Sequence, residues 1–192
     1  MPSPALEDTV PADFAGLARI KTLARWVRLL SLLGIVIVLS MPPVLWSDPD
    51  WLMEIASQQW SLRHGTQLQL DTASRMAGLA ASWLPAGVAA YALYQVWSLF
   101  GCYGRGQVFG GEPVVRLRRI GLALTWMAIA RPVGATLCVL ALTLGNPPGQ
   151  RMLSFTVAWM DYLALLIGLM LLAIATVMRE AGRAARENAE FI

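Results

Sequence analysis

The chain has 192 residues, 57% of them hydrophobic and only 14% charged, with a mean hydropathy of +0.56. Soluble domains run nearer a quarter charged, and a fold of this length could not bury so much apolar surface and keep a polar exterior, which excludes a soluble globular protein. The formal net charge of +3 is modest and no basic face with interleaved aromatics is present, so direct nucleic-acid binding is not expected.

The length suits one domain. Residues 1–13 are Pro-rich and acidic (Pro2, Pro4, Glu7, Asp8, Pro11) and read as a disordered N-terminal tail. Residues 14–192 read as a four-helix membrane domain. Asp13 can cap a helix that starts at Phe14, because its carboxylate accepts from the free amides of the first turn. Phe14, Leu17, Ile20, Leu23 and Ala24 recur at helical spacing among Arg19, Lys21, Arg25 and Arg28, which gives a short amphipathic arm on the membrane face. The arm leads into a first span over about 24–45, long enough to cross the hydrocarbon. A secretory signal is the rival reading. Its apolar core would be shorter, and Met41-Pro42-Pro43 stands where small cleavage-site residues belong.

Residues 46–75 form the longest polar connection, opened by Asp48-Pro49-Asp50. Trp51, Ile55 and Trp60 suit one face of a short interfacial helix, with the indole N–H groups wet and the rings apolar. Gln67–Leu70 alternates and suits an extended stretch, and Asp71 can cap the next helix. His64, the one histidine, has no neighbours at metal-ligand spacing and reads as a solvated surface residue. The second span, about 76–100, carries Gly78, Ser82, Ala86 and Ala90 at every fourth position, a stripe that lets helices approach closely. Pro85 is placed to kink it.

A polar connection over 101–119 follows, GCYGRGQVFGGEPVVRLRR, with Arg105, Arg116, Arg118 and Arg119 against Glu112. Its glycines do not form a phosphate-binding loop, since no GxxxxGK[ST] is present and the preceding element is a helix. Pro113 suits the first turn of a helix. The third span runs over about 120–144, a turn holds Asn146-Pro147-Pro148-Gly149, the fourth span covers about 155–178, and 179–192 is a charged helical tail. Arg19, Lys21, Arg25, Arg28, the four arginines of the polar connection and Arg179, Arg183 and Arg186 fall on one side; Arg63, Arg75 and Arg151 fall on the other. The positive-inside rule therefore predicts both termini and the 101–119 connection in the cytoplasm and the 46–75 loop outside. The expected fold is an all-α membrane protein, a four-transmembrane-helix bundle with a short amphipathic N-terminal arm.

Two segments resemble the DUF2975 family of small bacterial membrane proteins. The run SLFGCYGRGQVFGGEPVVRLRRIG is similar to that family's middle signature, with Gly106 to Phe109 and Leu117 to Gly121 at the matching positions. The closing LLIGLMLLAIATVMREAGRAARENAEFI resembles its ending through Gly168, Ala173, Val177, Arg179, Glu180 and Gly182. Ala185 replaces a larger apolar residue and Met178 an aromatic one. The resemblance covers the second half well and the first half in hydropathy only. It implies a multi-pass protein of a bacterial plasma (inner) membrane without established activity, and a pairing with a small cytoplasmic transcriptional regulator.

No HExxH, GxSxG or Cys/His pairing is present, so neither catalysis nor a metal or cofactor is expected. Cys102 and Cys138 lie in different surroundings and are not expected to pair. Two functional readings remain. In one, the helices sense something at the membrane while Arg105, Arg116, Arg118 and Arg119 form a cytoplasmic contact surface for a regulator protein. Topogenic charge and anionic-lipid contact explain the same arginines. In the other, the chain is a subunit of a small homo-oligomeric transporter or channel, on the strength of Arg131 and Asp161 inside spans. Counting 1.5 Å per residue puts Arg131 about 16 Å and Asp161 about 25 Å from the inner ends of their spans. A direct pair is therefore not expected. Arg131 is expected to meet Tyr91 or carbonyls loosened by Pro132, and Asp161 to meet water near the outer face.

Overall fold

The computed structural model describes residues 12–59, 71–107, 111–147 and 151–189, with side chains from 21 to 58 and from 151 to 187 in the first and last of these segments. The described residues form five helices: α1 (Ala12–Ser47), α2 (Pro49–Gln59), α3 (Thr72–Gly104), α4 (Gly111–Thr143) and α5 (Trp159–Ala189). Four of them, α1, α3, α4 and α5, are long and apolar enough to cross a membrane. Leu29, Leu33, Ile37, Trp126, Leu166 and Met170 lie exposed along them, an arrangement suited to hydrocarbon. Residues 1–11 of the expected disordered tail, His64, Trp60 and the extended Gln67–Leu70 lie outside the described residues; Ala12 and Asp13 already belong to α1, so Asp13 lies within the helix expected to start at Phe14.

The helical arm and the first span are one helix, which also runs through Pro42 and Pro43 to Ser47. The Asp48 carboxylate then accepts from the backbone N–H groups of Asp50 (3.0 Å) and Trp51 (3.2 Å) and starts α2. The short helix does not lie free at the interface. Its Leu52 and Ala56 are buried with Trp46 of α1 and Cys138, Val139 and Leu142 of α4. Asp71 caps α3 as expected, accepting from the Ser74 N–H at 3.3 Å.

The principal helix contacts follow chain order: α1 on α3, α3 on α4, α4 on α5. Small residues set each crossing. Gly78 of α3 lies against the Trp46 ring, whose Nε1 donates to Ser82 at 2.9 Å, so the small-residue stripe receives an indole from α1. Pro85 of α3 seats on Gly134 of α4, where a Cβ would stand 2.9 Å from the proline ring. Gly121 of α4 and Gly168 of α5 bring two backbones together. A Cβ on Gly168 would lie 2.8 Å from both the Gly121 carbonyl oxygen and the Thr125 nitrogen.

The fourth long helix starts later than the hydropathy implies. Residues 151–158 are not helical and run along α4. Their burial alternates, with Met152, Ser154, Thr156 and Ala158 turned inward and Leu153, Phe155 and Val157 exposed, the period of an extended chain. Threonines of α4 hold the segment. Thr136 Oγ1 lies 2.9 Å from the Ser154 carbonyl, and Thr143 Oγ1 lies 3.2 Å from the Met152 carbonyl and accepts the Met152 N–H at 3.3 Å. Polar backbone beside apolar spans is tolerated where protein groups satisfy it.

Candidate functional site

Asp161 sits in the first turn of α5. Its Oδ2 accepts the Ala158 N–H at 2.8 Å, reaching back over the turn as the third residue of a capping box does. Its Oδ1 accepts from Arg131 Nη1 at 2.9 Å. The carboxylate thus meets the positive end of a helix and a guanidinium together. Only 3% of Asp161 is exposed, while 40% of the Arg131 side chain is.

This geometry corrects the expected separation of the two residues. The depth count assumed that Ile120 and Met178 end their spans at one level. The Gly121–Gly168 crossing sets a different register, because Gly168 lies against Gly121 and Thr125. From Thr125 to Arg131 is about 9 Å along α4, and from Gly168 to Asp161 about 10.5 Å along α5. The two side chains are therefore level. Tyr91 is 47% exposed and is not the partner of Arg131, and Asp161 is buried among protein groups where outer-face water was expected.

The ion pair forms part of the wall of a cavity of about 760 Å³ between α1, α2, α3, α4 and the start of α5. Ile37, Val38, Leu45 and Met127 make much of the wall apolar; Ser82 and Thr156 add hydroxyls. Pro42, Pro85 and Pro132, one from each of three long helices, also line it. Each proline lacks the N–H that would close its helical turn, so a backbone carbonyl one turn earlier in each helix has lost its usual donor. Arg131 has five N–H donors, and no described residue other than Asp161 takes one. A mostly apolar volume with a few polar groups in its wall matches the pattern of small-molecule sites, which run from about 300 to 1,000 Å³. The wall carries no paired nucleophile and base, and no group of three or more His, Cys, Asp or Glu exists among the described residues.

The four arginines of the polar connection differ in their surroundings, although Arg105 and Arg116 both reach Glu112. Arg105 ends α3, its N–H bonded to the Cys102 and Tyr103 carbonyls, and Gly106 follows at φ 80°, a turn conformation glycine adopts without strain. Arg116 turns inward, giving Nη1 to the buried Gln95 Oε1 (3.2 Å) and Nη2 to Glu112 (3.3 Å). Arg118 and Arg119 are exposed. Gln95, with Tyr91 and Tyr94, reads from the sequence as a polar edge of the second span; its role as the acceptor for Arg116 does not. Residues 151–158 were not expected as a non-helical segment held along α4; the alternation from Leu153 to Val157 was the available signal.

A family model described as a protein of unknown function (DUF2975) matches residues 45–192. No curated protein and no solved structure matches the chain.

Proposed function

The chain belongs to the DUF2975 family, and for it we propose a regulatory or sensory role in the membrane, in which occupancy of the intramembrane cavity is transmitted to a cytoplasmic protein. The observation that carries this reading is the cavity of about 760 Å³ with the Arg131–Asp161 pair in its wall. An ionised pair at this depth is costly, and it leaves Arg131 donors available to a ligand that brings an acceptor into an otherwise apolar volume. The prolines around the cavity favour a response by bending of α1, α3 and α4. The proposed orientation places both termini, Arg118, Arg119 and the end of α5 in the cytoplasm of a bacterial cell, where exposed guanidiniums suit an acidic face on a soluble regulator. The role requires no catalytic step and no cofactor.

Photo-crosslinkers at positions 118 and 119, in native membranes, test it. The expected result is one specific soluble partner whose yield changes when Arg131 is replaced by Leu, with membrane insertion unchanged. Self-crosslinks alone would overturn the reading in favour of an oligomeric transporter or channel subunit. The same intramembrane pair supports that second reading, since ionisable residues inside spans often line a pathway.

A further inference from the structure

The Arg-rich end of the helices holds a second polar cluster, separate from the cavity. Arg28 lies on the side of α1 that meets α3, its guanidinium carbon 4.5 Å from the centre of the Trp97 ring. Among the described residues it makes no hydrogen bond and no ion pair, and its Nε is buried without an acceptor. Buried donors left in that condition are costly and rare.

A second cation lies beside it, at Gly101 of α3. A Cβ on Gly101 would stand 3.9 Å from the Arg28 guanidinium carbon and 3.9 Å from Arg105 Nη1. Two guanidiniums therefore flank one glycine. The neighbouring groups do not cancel their charge. Glu112 takes Arg116 at 3.3 Å and reaches only the Nη2 edge of Arg105, at 3.9 Å, an edge that also contacts Cys102 Sγ. Arg116 is committed to Gln95 and Glu112. Arg28 and the Nη1 side of Arg105 remain, two like charges whose repulsion an anion lying with them would relieve.

The anion's chemistry follows from its surroundings. Planar, forked donors match phosphate oxygens. Next to Arg28 on α1, Trp26, Leu29, Leu30 and Leu33 are exposed to what lies beside the span. A ligand with a phosphate at the level of Arg28 and apolar chains running down α1 meets both conditions. We infer that Arg28, Trp97 and Arg105, gathered around Gly101, form a site for the phosphate headgroup of an anionic glycerophospholipid whose acyl chains lie on the exposed apolar face of α1.

The test uses the full chain in nanodiscs of phosphatidylcholine with a rising fraction of phosphatidylglycerol. Retained lipid is counted by native mass spectrometry after transfer to detergent. Wild type is expected to keep one phosphatidylglycerol in preference to phosphatidylcholine. Arg28→Gln and Arg105→Gln should each lower retention roughly fivefold. Arg179→Gln, the same charge change on the exposed end of α5, should leave it unchanged. Arg28→Lys keeps the charge, loses the fork, and should restore retention only in part. Helical circular dichroism and a monodisperse elution profile establish folding. If Arg28→Gln fails either check, Trp97→Leu takes its place and should also weaken retention. Equal loss with Arg179→Gln would overturn the site in favour of diffuse surface charge. Displacement of the lipid by inorganic phosphate at comparable concentration would overturn the lipid assignment in favour of a free phosphate.

Discussion

Arg131 and Asp161 hold each other at 2.9 Å, yet their surroundings differ: the carboxylate is enclosed and the guanidinium faces a cavity. Removing either partner leaves a charge behind. Arg131→Leu is expected to destabilise toward the low end of the ~3–5 kcal/mol typical of a broken buried pair, because the buried Asp161 then loses its counter-ion. Arg131→Leu combined with Asp161→Leu should recover most of that loss, short of the capping bond to Ala158. Thermal unfolding in detergent measures both, and a double variant no better than the single would show that the pair is not coupled. Both residues were legible in the sequence as ionisable groups inside spans. Their pairing was not, since it depends on the Gly121–Gly168 register, which span lengths do not encode. Tyr91 was attractive by depth alone, but its position around the axis of α3 turns it outward.

At the level of helices, close approach is set by glycine more than by propensity. Gly168→Ala would push a methyl group into the Gly121 carbonyl and the Thr125 nitrogen, both backbone atoms of α4 that cannot rotate away. It is expected to cost about 1–3 kcal/mol and to part α4 from α5. Gly182→Ala, with nothing within 4 Å, should be neutral or stabilise by up to ~1 kcal/mol. Equal melting temperatures for the two variants would contradict the crossing. A pH effect belongs to the start of α3. Ser74, chiefly through its side chain and further through its backbone N–H, holds the Asp71 carboxyl below its ordinary value. A depressed carboxyl stabilises the folded state above its unfolded pKa, and that contribution disappears as pH falls through the lower folded value. Hydrogen exchange in the first turn of α3 should therefore speed up in acid, beyond the intrinsic pH dependence, and Asp71→Asn should blunt the change. Four long helices, the Asp71 cap and the Asp48 opening of α2 could all be read from local pattern. The burial of α2 could not, because Leu52 and Ala56 become core residues only when α1 and α4 supply Trp46 and Leu142.

For the whole molecule, the apolar surface and the four long helices make a multi-pass membrane protein, and the arginine distribution supplies the orientation proposed above. Reporter fusions after Leu99 and after Met178 should report cytoplasm, and one at Gln58 the outer face; a cytoplasmic signal at Gln58 would reverse the proposed topology. The ion pair also has a consequence in time. Arg131 is synthesised 30 residues before Asp161. At ~5–20 residues per second the arginine waits on the order of seconds for its carboxylate. During that wait α4 carries an uncompensated cation, a burden of ~2.5–3.5 kcal/mol at the centre of an inserting helix. The last two spans are therefore best released to the lipid together, and a nascent chain arrested just before Asp161 should remain beside the insertion machinery longer than one arrested after α5 is complete.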